Sequence, residues 1–369
     1  MLSADEFAAW LRLLETPGVG RATARRLLAA CGSPEGVFGT PAAALKRLVG
    51  PDRAQALAAL PPDFSSRLET AAGWLAGAAD RRVLTLADPA YPPLLLQTAD
   101  PPLLLYVQGD PARLAQRAVA VVGSRHATPQ GLANARAFGA ALSEQGLVVV
   151  SGLAQGIDAA AHEGALSGAA GTLAVVGTGL DRVYPARHRS LAHRIAAHGA
   201  LLSEFAPGTP PLPENFPQRN RLIAGLSLGT LVVEAALQSG SLITARLAAE
   251  AGREVFAIPG SIHAPQAKGC HALIKQGAKL VETAQDILEE LGPRSARQAT
   301  LPLQAAIDAP GATSDPLLEA LGQDPVTLDA LMGRTGLPAA ELMARLMTLE
   351  LQDQVARLPG GLYQRLYNG

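Results

Sequence analysis

Short apolar runs alternate with longer segments of helical spacing through the middle of the chain, and Gly or Ser bounds each run. The runs do not alternate apolar with polar positions, which is typical of strands buried on both faces of a parallel sheet. The predicted strands are 118–122, 147–150, 172–176, 230–235 and 254–258. This pattern predicts an α/β domain with an extended, doubly wound, Rossmann-like parallel sheet over residues 111–292.

The segment before this sheet, residues 1–110, is predicted to be a helical domain. Within it, the run 16–20 (Thr-Pro-Gly-Val-Gly) makes a tight turn just before a helix, as in a helix-hairpin-helix or SAM-like module. Such a turn can point backbone amides at a DNA phosphate, and it can equally be a loop between two packed helices. The pattern does not decide between the two.

The segment after the sheet divides into a linker, 293–312, and a C-terminal module, 313–369. The linker has no periodic apolar pattern. The module shows a helix, a turn at Gly336, a second helix from Pro338, and a Gly-Gly turn between two strand-like pieces. This order predicts a winged-helix-like domain.

Composition narrows the function classes. The formal net charge is only −1, from 31 Lys+Arg against 32 Asp+Glu, so phosphate binding requires a local basic patch. Cys31 and Cys270 lack metal-ligand spacing and are expected to be reduced thiols; neither a metal nor a cofactor is expected. The N-terminus does not read as a secretory signal, and no apolar run reaches the roughly 20 residues of a membrane helix. We therefore expect a cytoplasmic protein that does not contact membranes.

The first strand ends in Gly123, Ser124 and Arg125, with Thr128 placed as N-cap and Pro129 as the first residue of the next helix. Ligands of open α/β sheets bind at this position, and a helix N-terminus favours an anion. Arg125 would then clamp a phosphate. The order G-x-G-x-x-G and a Walker-type phosphate loop are both missing, which argues against NAD and against a nucleoside triphosphatase.

Two further turns carry residues suited to phosphate. Ser151, Gly152 and Gly156 follow the second strand and could hold a second phosphate. The neighbouring pair Asp158 and His162 is better explained by structural hydrogen bonds than by a catalytic dyad.

The other of these two turns begins the helix after the fourth predicted strand. It consists of Ser239, Gly240 and Ser241, with Arg246 on the next turn. Glu234, at the end of that strand, has no partner acid or metal set, so an anchoring hydrogen bond explains it better than catalysis. No residue is assigned a catalytic role.

The densest cluster is Phe216, Arg219, Asn220 and Arg221, at the start of a helix just before a buried strand. It combines neutralisation of a phosphate backbone with an aromatic surface for stacking, which are the two requirements of single-strand binding. The loop 177–185 and the basic residues that follow it could line the same cleft or a subunit surface. Several anion-binding turns along one sheet edge suit a polymer of phosphates better than one small substrate.

Five motifs in this order resemble the DprA/Smf family (DNA processing protein A). They are GSR at 123–125, SGLAQGIDAAAH at 151–162, ENFPQRNRLIAGLS at 214–227, VVEAALQSGSLITAR at 232–246 and IPG at 258–260. Both flanking modules are also similar to those of family members. The resemblance implies a homodimer that binds single-stranded DNA, protects incoming DNA in natural transformation, and loads RecA recombinase onto strands coated by single-strand-binding protein.

The resemblance further implies that Arg125 is the main phosphate ligand, that the FPQRNR segment lines the DNA groove, and that no hydrolysis takes place. Two alternatives stay open. A nucleotide-processing, phosphoribohydrolase-like enzyme is suggested by the Gly-Thr-x-x-x-Glu strand at 229–234, although the Pro-Gly-Gly turn usual before it is missing. A transcription regulator would use the helix 338–349, which offers few groups beyond Glu341 and Arg345 to reach base edges.

Overall fold

The computed structural model describes residues 2–292, 315–322, 325–352, 354–358 and 360–366. The predicted linker 293–312 lies outside the described residues. Among the helices of the described ranges, none has both the length and the apolar character needed to cross a bilayer.

The helices and strands follow the chain in this order. The helices are α1 (Ala4–Glu15), α2 (Arg21–Cys31), α3 (Pro34–Gly39), α4 (Ala42–Val49), α5 (Pro51–Ala58), α6 (Phe64–Ala76), α7 (Pro93–Leu96), α8 (Pro129–Glu144), α9 (Ile157–Ala165), α10 (Arg189–His198), α11 (Asn215–Gly225), α12 (Ser241–Glu250), α13 (Lys268–Lys275), α14 (Ala284–Leu291), α15 (Pro316–Leu321), α16 (Leu328–Thr335) and α17 (Ala339–Leu351). The strands are β1 (Arg81–Thr85), β2 (Leu104–Gly109), β3 (Ala118–Val122), β4 (Val148–Ser151), β5 (Thr172–Val175), β6 (Ala200–Ser203), β7 (Gly229–Val232), β8 (Glu254–Ala257), β9 (Lys279–Leu280), β10 (Val326–Thr327), β11 (Val355–Leu358) and β12 (Leu362–Arg365).

One sheet of nine strands, in the order β1-β2-β6-β5-β4-β3-β7-β8-β9, forms the centre of the molecule. Neighbours from β6 to β9 are parallel, whereas β2 is antiparallel to both β1 and β6. The chain moves from β3 through β4 and β5 to β6 on one side, and then returns to β7 on the other. The predicted doubly wound sheet is confirmed, and its switch point lies between β3 and β7.

The strands alternate their side chains between two apolar layers. In β3, Val119 and Val121 pack among residues of α8 and α9, whereas Ala118, Ala120 and Val122 pack among residues of α11, α12 and α13. Every residue of β3 is buried, since helices cover both faces. This double burial explains why the strands appear in the sequence as unbroken apolar runs.

The N-terminal region is helical, as predicted, through α6, and strands appear in the last part of the segment 1–110. Its last part forms β1 and β2, and β2 pairs with β6 inside the large sheet. The first four residues of β2 are buried, so this strand has the same unbroken apolar character as the predicted ones. The four-residue strand β6 was also not predicted. The domain boundary at residue 110 stays a prediction.

The C-terminal residues confirm the predicted winged-helix-like domain. Helices α16 and α17 lie between β10 and β11 in the chain, and the three strands form a sheet of order β10-β12-β11. Gly336 ends α16 in the left-handed conformation, with φ of 68°. Gly360 and Gly361 form the turn between β11 and β12.

A buried histidine, His162 of α9, joins that helix to the sheet. Its Nδ1 lies 2.7 Å from Oγ1 of Thr172, and this hydroxyl donates to the carbonyl of Val149 at 2.6 Å. The Thr172 hydroxyl therefore accepts from Nδ1–H. Burial, with smaller contributions from the charges of Arg219 and His188, lowers the pKa of His162 to about 3.

We expect this histidine to destabilise the fold in acid. Below the ordinary pKa of 6.5 the unfolded chain binds a proton at His162 that the folded chain does not bind. The free energy of unfolding should therefore fall by about 1.4 kcal/mol per pH unit, or about 2 kcal/mol between pH 6.5 and 5. Urea unfolding from pH 7.5 to 5 measures this slope. The variant His162→Gln should lose that part of the slope, and equal slopes in both proteins would contradict the assignment.

Candidate functional site

A cleft of about 470 Å³ opens at the switch point, where the carboxyl ends of β3 and β7 face the first turns of α11 and α12. Its walls come from segments far apart in sequence, which the parallel sheet brings to one edge. The predicted site residues that line it are Gly123, Ser124, Arg125, Phe216, Arg219, Asn220, Ser239, Gly240 and Ser241. The other predicted residues, Ser151, Gly152, Gly156, Arg221 and Arg246, lie outside its lining.

The loop after β3 is held rigidly beside the cleft. The amide of Ser124 donates to the carbonyl of Glu234 at 2.8 Å, which ties the ends of β3 and β7 together. Thr128 caps α8, as predicted, by accepting from the amide of Gly131 at 3.0 Å. Arg125 itself is exposed. Its guanidinium is therefore placed by a fixed backbone and stays open to a ligand.

Three flat side chains form a stack that begins at the cleft, which Arg125 and Phe216 line, and continues to Tyr184 outside its lining. The Cζ atom of Arg125 lies 5.9 Å from the ring centroid of Phe216. The ring of Phe216 in turn lies 5.6 Å from that of Tyr184, at an interplanar angle of 40°. Tyr184 is 51% exposed, although it was not among the predicted site residues. The stack provides a positive end and an aromatic surface, which suit phosphate and base respectively.

Arg219 is buried beneath the cleft, where only 5% of it is exposed. Its Nη1 donates to the carbonyl of Gly152 at 2.6 Å and to the carbonyl of Val175. Burial lowers its pKa to about 10, against the opposing charge of Asp158. The structure thus gives Arg219 a structural role in place of the predicted contact with phosphate.

Asp158 is also structural. Its Oδ2 accepts from the amides of Gly152 at 3.1 Å and Ala154 at 3.3 Å, which shapes the loop after β4. His162 bonds instead to Thr172, so the two residues do not act as a dyad. Each residue therefore has structural hydrogen bonds of its own, and the hydrogen bond expected between the two is not formed.

Arg221 points away from the cleft into a cluster of charges. Its Nη1 donates to the carbonyl of Asp100 at 2.8 Å, and its Nη2 lies 2.5 Å from Oε1 of Glu204. Arg21 and Arg25 of α2 each lie 2.7 Å from the carboxylate of Asp100. The cluster joins the N-terminal helices to α11, so Arg221 holds two parts of the fold together and does not face the predicted groove.

The predicted residues of the second turn shape loops and do not face the cleft. The Ser151 hydroxyl is buried and donates to the carbonyl of Val121 at 2.6 Å. Gly156 has φ of 82° and ψ of −129°, a conformation that side chains rarely adopt. A Cβ atom there would lie 2.3 Å from the carbonyl oxygen of Ser124. Gly156 therefore permits the loops after β3 and β4 to approach each other.

The turn at the start of α12 does face the cleft, except for its arginine. The hydroxyls of Ser239 and Ser241 lie 2.7 Å apart, and Gly240 is exposed. Arg246 instead lines a neighbouring cavity and lies 3.7 Å from Glu250. The predicted contribution of Arg246 to the same site is not supported by this geometry.

Glu234 is an anchor, as the sequence suggested. Its two carboxylate oxygens accept from Thr128, at 2.9 Å from the amide and 2.5 Å from the hydroxyl. Burial raises its pKa, and these hydrogen bonds oppose the shift. Among the residues that the structure describes, no three His, Cys, Asp or Glu side chains are grouped to hold a metal ion.

Two family models match the chain. Residues 82–292 match the family described as DNA recombination-mediator protein A, and residues 301–361 match the DprA winged helix domain. Among curated proteins, Protein Smf of Escherichia coli is 44% identical over 286 residues, which is 75% of each chain. DNA processing protein DprA of Streptococcus pneumoniae is 48% identical over 56% of this chain and 73% of its own.

Solved structures agree with these matches. That of DNA processing protein A from Streptococcus pneumoniae is similar with a TM-score of 0.66 and 36% identity, over 77% of this chain and 97% of that one. A structure of the Helicobacter pylori protein, described for its single-stranded DNA binding mode, has a TM-score of 0.52 and 31% identity. It covers 57% of this chain and 95% of that one.

The close approach at Gly156 can be tested by substitution. We expect Gly156→Ala to lower the free energy of unfolding by about 1–3 kcal/mol, because alanine is strained in this conformation. Gly240→Ala is the matched control, since a Cβ atom there meets nothing within 4 Å. Urea unfolding measures both. Equal stability of the two variants would show that the loops tolerate a side chain at 156.

Proposed function

Because this chain belongs to the DNA recombination-mediator protein A family, we propose that it binds single-stranded DNA in the cleft at the switch point. The observation that carries the proposal is the exposed guanidinium of Arg125 over the ring of Phe216, held by a rigid loop. The similarity to the Helicobacter pylori protein, whose structure is described for single-stranded DNA binding, supports it.

Arg125 would bind a phosphate of the strand. The N-terminus of α12 lines the same cleft and favours negative charge through its helix dipole. The first turn of α12 has no acidic residue, so no carboxylate of that turn opposes the anion. The site is thus suited to a phosphate although the whole chain is nearly neutral.

The rings of Phe216 and Tyr184 would stack on bases next to that phosphate. Every base has a π face, so stacking binds a single strand without reading its sequence. A duplex keeps its bases inside the helix and cannot offer them to these rings. We therefore expect a preference for single strands and little sequence specificity.

We infer that the cleft binds and does not catalyse. The phosphoribohydrolase-like alternative depends on Glu234, and both of its carboxylate oxygens are engaged by Thr128. A nucleoside monophosphate should therefore compete only weakly with an oligonucleotide and should not be hydrolysed. Efficient displacement by a monophosphate, or release of a base, would favour the enzyme.

We further propose that the bound strand is protected and passed to RecA recombinase, with the protein acting as a homodimer in the cytoplasm. The family description, a recombination mediator, supports this role. The measurement is RecA assembly on single strands coated with single-strand-binding protein. Addition of this protein should shorten the delay before RecA hydrolyses ATP, and an unchanged delay would contradict loading.

The role of Arg125 can be tested by charge reversal. We expect Arg125→Glu to weaken binding of a labelled single strand at least about tenfold, or about 1.4 kcal/mol, in fluorescence anisotropy. The slope of log affinity against log salt should fall by about 0.7 for each phosphate that the variant no longer binds. Arg246→Glu is the control, because this arginine is exposed but lies outside the cleft lining. Unchanged affinity in Arg125→Glu would contradict the assignment of the cleft.

If Phe216 stacks on a base, its substitution should lower the affinity without changing the salt dependence of binding. We expect Phe216→Ala to cost about 1–3 kcal/mol of binding, the usual contribution of one stacked base. The salt slope should not change, because no charge is removed. Phe216→Tyr keeps a ring and should bind almost as wild type does. Weak binding by both variants would indicate a packing role for this side chain.

A further inference from the structure

A basic segment follows Tyr184 and is not used by the cleft. Residues 185–198 contain three Arg and three His, and no Asp or Glu. The whole chain has 31 Lys+Arg and 32 Asp+Glu, so this segment is a local excess of basic residues in a chain whose charges otherwise balance. Such a local excess of positive charge is what a polyanion recognises in a nearly neutral protein.

The segment forms a short 3-10 turn, Ala186–His188, followed by α10. Helix α10 buries Leu191, Ala192 and Ile195 against the sheet. Several residues of the turn and helix are exposed, and we call four of the basic ones the basic face: Arg187, Arg189, His193 and Arg194. The helix is thus apolar toward the core and basic toward solvent.

The arginines of the basic face are not compensated. Within the described ranges, the guanidinium groups of Arg187, Arg189 and Arg194 form no ion pair and no hydrogen bond with the protein. Arg182, just before them, does pair with Asp181 at 3.1 Å. Like charges on one helix face repel each other, and an external anion relieves that repulsion.

The basic face continues the edge of the cleft. It begins three residues after Tyr184, whose ring lies 5.6 Å from that of Phe216. The Nδ1 atom of His188 lies 2.9 Å from the carbonyl oxygen of Leu153, which fixes the 3-10 turn to the loop after β4. From there α10 extends over about 15 Å. The order along the surface is Arg125, Phe216, Tyr184 and then the basic face.

We propose that the basic face binds the phosphates of the DNA strand where it leaves the cleft beside Tyr184. This inference rests on the proposed function, since it requires the strand to lie in the cleft. The basic face has three arginines and no Phe, Tyr or Trp, so it holds the backbone and leaves the bases in solvent. It lengthens the bound strand beyond what the cleft alone can hold.

The length of the DNA strand distinguishes binding in the cleft from binding on the basic face, because only a long strand can reach both. The test variant is Arg187→Glu/Arg189→Glu/Arg194→Glu, in the otherwise unchanged full chain. The control is Arg26→Glu/Arg82→Glu/Lys275→Glu, which reverses three exposed charges on α2, β1 and α13 and changes the net charge equally. Each is titrated by anisotropy with oligothymidylates of about 6 and about 30 nucleotides, lengths on either side of a typical single-strand site.

We expect the test variant to bind the long strand at least about tenfold more weakly than the control does, with unchanged affinity for the short strand. Its salt slope on the long strand should be smaller by about 2, since three contacts each contribute about 0.7. The midpoint temperature of thermal denaturation should be unchanged, because the three side chains are exposed. The variant with Gln at the three positions should also bind the long strand more weakly than the control does, but by a smaller factor.

Equal binding of the long strand by test and control variants would overturn the proposal. Loss of RecA binding with long-strand affinity intact would also overturn it, and would make the basic face a protein contact. Failure of the proposed function looks different: wild type would not bind the short strand, or Arg125→Glu would bind it equally well. The two failures are therefore distinguishable.

Discussion

The carbonyl groups of Gly152 and Val175, at the ends of β4 and β5, depend on the buried guanidinium of Arg219 for donors. A buried charge needs compensation, and Asp158 supplies it while accepting two amides of the loop after β4. This arrangement fixes the floor of the cleft. With the floor fixed, the loop of Arg125 can pack against Gly156, and α11 can present Phe216 at the rim.

The segment from Phe216 to Arg221 shows how one helix serves several purposes. Successive residues of a helix point about 100° apart, so neighbours in sequence face different surroundings. Arg219 faces the sheet, Asn220 lines the cleft, and Arg221 reaches the carboxylates of Asp100 and Glu204. The two arginines of this cluster thus stabilise the fold, and the phosphate-binding role that we propose belongs to Arg125, in the loop after β3.

Much of the sheet could be predicted from the sequence because double burial leaves unbroken apolar runs. Strand β3 was placed at its correct bounds, whereas β6 (Ala-Leu-Leu-Ser) has no β-branched residue to mark it as a strand. The location of the site at the strand ends also followed from glycine and helix-start signals. Which arginine is buried and which is exposed did not follow, because burial depends on distant segments such as that of Asp100. Tyr184 was missed for the same reason, since its contact with Phe216 spans residues far apart in the chain.

The charge cluster around Asp100 connects the N-terminal helices electrostatically to the domain that forms the cleft. Three arginines face two carboxylates there, which leaves a net charge of +1. Two of the arginines come from α2, so a fragment starting at residue 82 would keep one arginine and two carboxylates, with a net charge of −1. The repulsion between those carboxylates would act on Arg221 in α11, the helix that carries Phe216. The N-terminal helices therefore contribute to the charge balance around α11, the helix that carries Phe216 at the rim of the cleft.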